Sequence, residues 1–160
     1  MKLLAEITGA ASIYERSDVS VRAKEGLAER SGLLYGAQPP NPVIIEENGA
    51  RFAVDVRHGQ KSGFYFDQRC ARAVVAAYAD GRTVLNAFSY TGAFAVSALL
   101  AGAEHVINID SSAPALKQAA HNLEMNRIKP ERYENRTADV FTELRRLVEE
   151  GRKFDLVILD

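Results

Sequence analysis

Tryptophan is absent from this sequence, cysteine occurs once, and neither charge is in marked excess. The single cysteine, Cys70, excludes an internal disulfide and leads us to expect a reducing, cytoplasmic setting. No apolar run approaches the roughly 18–20 residues that cross a bilayer, so no membrane association is expected. The first ten residues, MKLLAEITGA, hold one lysine and too short an apolar segment for a signal peptide; they read as helix. Twenty basic residues against 21 acidic ones leave a net charge of −1, which announces no nucleic-acid surface. His58, His105 and His121 share no metal-ligand spacing, so no metal is expected. Missing too is the G-x-G-x-x-G pattern that brings a backbone close to a pyrophosphate, which disfavours a dinucleotide ligand.

What is present is organised around residues 82–92, RTVLNAFSYTG. Val84 and Leu85 look like the core of a short buried strand. A polar and aromatic loop follows, Phe88-Ser89-Tyr90-Thr91, closed by Gly92, and an apolar helix-like run then covers residues 93–100. A strand, a glycine-bearing turn and a helix whose amino end faces the strand tip form the ligand-binding corner of an open α/β sheet. Around this corner helices and strands alternate from residue 66 onward. Cys70, Val74, Ala77 and Tyr78 recur at helical spacing, and strands are expected at 83–86 and 105–109. Ser111 or Ser112 caps a helix that carries Leu116, Ala119, Ala120 and Leu123 on one face. Residues 133–137 read as a short edge strand. Phe141, Leu144, Leu147 and Val148 form an amphipathic stripe ended by Gly151, and 154–159 form the last strand. Strands separated by helices of this length imply a parallel sheet with helices on both faces.

The first 42 residues carry less periodic signal. Leu3, Leu4 and Ile7 fall at helical spacing before Gly9; Ile13 and Tyr14 suggest a short strand, and residues 15–18 a polar turn. Asp18 could cap a short helix containing Val19, Val21 and Arg22, and Gly32, Gly36, Pro39, Pro40 and Pro42 mark a linker-like stretch. Asn48-Gly49, flanked by residues 43–47 and the alternating 51–57, predicts a tight β-hairpin.

Three aspartates follow strands: Asp110 ends VINID, Asp139 ends RTAD and Asp160 ends DLVILD. Each alone reads equally as a cap on the next helix; three at successive tips favour a ligand. The interval from Gly92 to Asp110 is near the roughly 20 residues that separate a glycine turn from a ribose-binding acid. A ligand with adenosine but no phosphate needs no anion cradle, and S-adenosyl-L-methionine fits that description. Residues 156–159 are continuously apolar, which suggests a strand buried on both faces. They stop at Asp160, so we expect a longer protein with part of its active site beyond this residue.

The stretches GQKSGFYFDQR (59–69), VLNAFSYTGAFAVSALLAGA (84–103) and VINIDSS, with YERSDVSVRAKEGL (14–27), resemble the large-subunit ribosomal RNA methyltransferase family that acts at carbon 5 of cytosine. The similarity covers essentially the whole chain. It implies a Rossmann-like class I methyltransferase sheet, truncated here, preceded by a small α+β domain with a β-hairpin. The expected division is 1–62 for that middle domain and 63–160 for the amino-terminal half of the methyltransferase domain, with a PUA domain further upstream in family members. By the same resemblance Asp110, beside Ser111, binds the ribose of S-adenosylmethionine, and Asp139 lies beside the adenine. Lys61, Asp67 and Arg69 border the methionine end, while Phe88, Ser89, Tyr90 and Gly92 form the pocket wall. Asp160 corresponds to the first residue of an Asp-Pro-Pro motif that borders the target base. A guanidinium can hold the methionine carboxylate in bidentate fashion, although Arg69 could instead pair with Asp67 or Asp55, and Lys61 could be a solvated turn residue. The expected partner of the full-length protein is ribosomal RNA; no membrane is involved, and a homodimer is possible.

The chemistry the resemblance implies begins with a cysteine thiolate adding to carbon 6 of the base. Carbon 5 then takes the methyl, and a base removes its proton before the thiolate leaves. Cys70 sits at a helix start, which favours a thiolate, yet it belongs to an apolar stripe with Val74 and Ala77. The family carries its nucleophile beyond the Asp-Pro-Pro motif, so core packing is the expected role of Cys70. Competing readings are a guanine-N7 methyltransferase, a non-catalytic RNA-binding scaffold, and a nicotinamide dehydrogenase that the missing glycines disfavour.

Overall fold

A computed structural model describes residues 1–18 and 21–160, so the Val19 of the short helix expected behind Asp18 lies outside the described residues. The chain forms two compact units, residues 1–43 with 54–64, and residues 44–53 with 65–160.

The first unit opens with α1 (Lys2–Thr8), which ends where Gly9 adopts a left-handed φ of 67° and its N–H reaches the Ala5 carbonyl. Leu3, Leu4 and Ile7 do share this helix, but all three are exposed and Ala5 is the residue it buries. β1 (Ser12–Ser17) pairs antiparallel with β2 (Arg30–Gly36). Glu15, Arg16 and Ser17, expected in a turn, therefore lie in a strand, and the linker-like glycines Gly32 and Gly36 lie in its partner. The misreading has a physical cause. β2 is exposed along nearly its whole length and leaves no alternation of buried and solvated positions to read. Gly36 is there for space: a Cβ on it would fall 2.0 Å from the Ala11 carbonyl oxygen. Arg16 binds the unit together, donating to the carbonyls of Val56 and Gly59 and pairing with Asp18 at 3.0 Å. A short helix, α2 (Val21–Lys24), lies between the two strands in sequence.

β3 (Val43–Glu47) and β4 (Ala50–Val54) form the expected hairpin around Asn48 (φ 51°) and Gly49 (φ 79°), both in the left-handed region that a two-residue turn demands. Its residues 44–53 group with the second unit, whereas the division drawn at residue 62 from the sequence kept the whole hairpin with the amino-terminal residues. The side chains responsible are described below.

The second unit contains a 3-10 turn (Phe66–Gln68), α3 (Arg69–Tyr78), β5 (Thr83–Ala87), α4 (Ala93–Leu100) and β6 (His105–Asp110). After these come α5 (Ala113–Met125), β7 (Tyr133–Thr137), α6 (Val140–Glu149) and β8 (Leu156–Leu159). The four strands are parallel in the order β7-β6-β5-β8, so the α/β class with a parallel sheet is the one observed. On one face Leu85, Ala87, Ile107 and Ile109 pack against Val140 and Leu147 of α6. On the other, the strands present asparagines in register. Asn86 donates to Asn108 at 2.8 Å, Asn108 to Asn135 at 2.9 Å, and Asn135 reaches the Leu116 carbonyl of α5 at 3.4 Å. The helices thus cover both faces, with α5 on the asparagine side and α6 on the aliphatic side.

Three apolar stripes fall otherwise than their periodicity suggests. Cys70, Val74, Ala77 and Tyr78 form the exposed side of α3, whose buried position is Arg72. Cys70 is consequently a solvent-facing thiol and not a core residue. In α6 the buried positions are Val140, Glu143 and Leu147, while Phe141 and Val148 face solvent. β8 stands at the sheet edge with Val157 50 % and Leu159 65 % exposed, so it is not buried on both faces. Their register partners, Leu85 and Ala87, are covered by α6; β8 lies one strand beyond that cover.

Candidate functional site

In an open α/β sheet ligands settle at the carboxyl ends of the strands where the chain order reverses. Here that point is β5, flanked by β6 on one side and β8 on the other. The loop that leaves β5 is held in an unusual backbone conformation. Phe88 (φ 57°) and Tyr90 (φ 46°) both occupy the left-handed region, as does Gly92 (φ 74°). A non-glycine residue there costs about 1–2 kcal/mol, and such strain concentrates at binding sites. The loop is kept in place by Ser89 N–H on the Ile109 carbonyl (3.0 Å) and Gly92 N–H on the Ser89 carbonyl (2.8 Å). Behind it stands α5: a Cβ on Gly92 would meet the Ala119 Cβ at 2.8 Å, so the helix approaches more closely than any side chain would allow.

Asp110 ends β6 beside this loop. One carboxylate oxygen accepts the Tyr90 N–H at 2.8 Å, the other the Ser112 N–H at 2.8 Å. Both oxygens are oriented by backbone, and each retains lone-pair capacity on a half-buried group. Of the two candidate caps for α5, Ser112 does the capping, accepting the Ala115 N–H; Ser111 is exposed beside it. Asp139 caps α6 by accepting the Thr142 N–H at 2.8 Å. Hydrogen bonds from the Thr142 side chain and backbone hold its carboxyl below the usual carboxylate range.

Asp160 follows the tip of β8 and accepts the Gln68 side-chain amide at 2.8 Å. That bond brings the segment carrying Asp67 and Arg69 to the strand ends. Tyr65 sets its ring edge-on to Tyr90 at 5.6 Å, a second tie to the loop. Asp67 and Arg69 are both exposed, and within their unit, among the described residues, they form no ion pair with each other. Ser89 is buried with a hydroxyl that has no hydrogen-bond partner. Phe88, expected beside it in a pocket wall, sets its ring edge-on to Phe141 at 5.6 Å and packs against the α6 side of the sheet. Lys61 belongs to the first unit, in a turn with φ 51°. Asp110, Ser89, Tyr90 and Gly92 thus gather at the switch point, with the 67–69 segment and Asp160 at β8 and Asp139 beyond β7.

Sequence reasoning missed the residues that support this corner. Asn122 donates to the Thr91 carbonyl at 2.9 Å and accepts the Ala53 N–H of β4 at 2.9 Å. Asn126 accepts the Arg51 N–H and donates to the Arg51 carbonyl, and Gln118 donates to the Ala53 carbonyl. Arg72, 2 % exposed, grips Glu47 of β3 with two hydrogen bonds of 2.6 and 2.8 Å and donates a third to the Tyr65 carbonyl. These side chains carry the hairpin into the second unit. A usable signal existed: three amides, Gln118 and Asn122 in α5 and Asn126 at its carboxyl-end cap, recur at helical spacing.

A parallel sheet with a strained loop and an oriented carboxylate at its switch point places this chain in the open α/β class. The chain belongs to the S-adenosylmethionine-dependent methyltransferase family, whose family model matches residues 28–160. It is 52 % identical over 158 residues to a ribosomal RNA large subunit methyltransferase I of Tolumonas auensis, aligning 98 % of this chain with 40 % of that protein. The chain therefore spans well under half the length of this curated relative. A Streptococcus mutans structure described as a candidate SAM-dependent methyltransferase superposes with a TM-score of 0.77 at 31 % identity, covering 81 % of this chain and 35 % of its own. A further structure, a candidate methyltransferase in complex with SAH, matches at the same TM-score and identity, over 81 % and 34 % of the two chains. Among the described residues no helix is long and apolar enough to cross a membrane, and no cluster of metal-ligating side chains occurs.

The residues present suit the family's cofactor. An oriented carboxylate and a buried hydroxyl lacking a partner answer to the ribose hydroxyls of such a ligand. The single glycine at the turn suits a ligand without phosphate.

Proposed function

We infer that the protein carrying this chain methylates large-subunit ribosomal RNA at carbon 5 of a cytosine, and that this chain supplies the cofactor-binding side. The kind of substrate rests on one observation, the 52 % identity to a ribosomal RNA large subunit methyltransferase across 98 % of the chain. The base and atom rest on the sequence resemblance described above, as does a PUA domain elsewhere in the protein.

Bound S-adenosylmethionine supplies a methyl group on a sulfonium. Asp110 accepts hydrogen bonds from the ribose hydroxyls with oxygens already oriented by Tyr90 and Ser112. Ser89 and Tyr90 line the loop side, Gly92 lets the loop pass close to α5, and Ser111 borders the ribose. Arg69 takes the methionine carboxylate, with Asp67 beside the amino-acid end; Asp139 lies on the adenine side, and Asp160 on the side of the target base. Phe88 anchors the loop from beneath through Phe141. Cys70, exposed on α3, takes no part in this binding. Calorimetric titration with S-adenosylhomocysteine and, separately, NAD tests the cofactor assignment: binding of the former alone is expected, and tight NAD binding would overturn it. Labelled methyl groups should enter large-subunit and not small-subunit ribosomal RNA, in 5-methylcytidine; a methylated guanosine product would refute the choice of base.

A further inference from the structure

Asn122 is wholly buried, so it cannot touch a ligand, yet its amide joins two elements that lie far apart in the sequence. Its oxygen accepts the N–H of Ala53 in the hairpin, and its nitrogen donates to the Thr91 carbonyl in the loop after β5. One turn earlier on α5, Ala119 stands against Gly92 of the same loop. The loop is thereby clamped from behind at two consecutive residues. Its front side offers the Tyr90 N–H to Asp110. A primary amide supplies its donor and its acceptor on two separate atoms, and a buried carbonyl left without its donor is costly.

We propose that Asn122 is a positioning residue for cofactor binding: by holding the Thr91 carbonyl it keeps the strained 88–92 loop in the form that aims Tyr90 at Asp110. This rests on the reading that S-adenosylmethionine binds at Asp110. Removing the amide frees the loop to relax out of its left-handed conformations, and the oriented carboxylate loses its Tyr90 donor. Asn126 gives a half-buried control, since it bonds the same hairpin at Arg51 and the Asn122 backbone carbonyl, with no bond to the loop.

The experiment compares Asn122→Ala and Asn126→Ala in this chain, reading amide exchange at Tyr90 without ligand and affinity for S-adenosylhomocysteine by calorimetry. Asn122→Ala should speed Tyr90 exchange and weaken binding about tenfold, the scale of an unsatisfied buried group. Asn126→Ala, with its own loss of thermal stability, should leave both within about twofold. Equal effects of the two variants, or unchanged Tyr90 exchange in Asn122→Ala, would overturn the proposal. The wild type offers a check without any variant: the Asn122 side-chain amide protons should exchange slowly, and fast exchange would also overturn it. Absence of S-adenosylhomocysteine binding by the wild type would refute the site reading instead, with the exchange measurements still deciding the role of Asn122.

Discussion

At the tip of β6 two backbone N–H groups, from Tyr90 and Ser112, already point at the Asp110 carboxylate. A ligand that needs an acceptor there finds one whose orientation requires no further ordering. Asp110→Ala should weaken S-adenosylhomocysteine by roughly 1–3 kcal/mol, the scale of lost charge-assisted hydrogen bonds, as calorimetry would record. Cys70→Ser, by contrast, should leave that affinity unchanged, because the thiol lies on the exposed side of α3. Asp110 was legible in the sequence from its place after an apolar strand and its distance from Gly92. The exposure of Cys70 was not. The buried position of α3 is an arginine, which inverts the rule that the apolar stripe faces inward.

Among elements, the hairpin shows both the reach and the limit of sequence reading. Asn48-Gly49 announced its turn, but its allegiance depends on Glu47 meeting Arg72 and on α5 amides meeting β4, pairings separated by 25 and about 70 residues that no local pattern records. Arg72→Ala should cost about 3–5 kcal/mol in urea unfolding, since it strands a buried carboxylate; replacing both partners by apolar residues should recover much of that. A second ion network joins β7 to α6. Arg146 and then Arg136 hydrogen-bond to Glu143 and hold its carboxyl at about 2, against 4.5 ordinarily. A carboxyl lowered in the fold adds stability that is complete above pH 4.5 and disappears as pH falls toward 2. Glu143→Gln should therefore flatten the dependence of the urea midpoint on pH across that window.

At the level of the molecule, charge sets the expectation for RNA. With 20 basic and 21 acidic residues the chain has no surplus of cations to displace counterions. Proteins with 6–10 phosphate contacts lose about 10³–10⁵ in affinity between 50 and 200 mM salt. Binding of this chain to ribosomal RNA should fall far less over the same range in a filter assay, and a steep salt slope would reveal a basic face that its composition hides. The parallel sheet and its switch point were readable because buried strands and amphipathic helices alternate from residue 66. The pairing of β1 with β2 was not, because neither strand alternates buried with exposed positions: β1 is half-buried throughout and β2 exposed along nearly its whole length.

The three asparagines aligned across β5, β6 and β7 bear on how the sheet finds its alignment. Side chains alternate sides along a strand, so sliding any one of these strands by a single position would thrust a primary amide among the aliphatic groups beneath α6. At about 1–3 kcal/mol for each stranded polar group, such a mistake is a large fraction of the whole margin by which a domain stays folded. The amides work as a vernier: they coincide in one setting, and every neighbouring setting is expelled by its own mismatch.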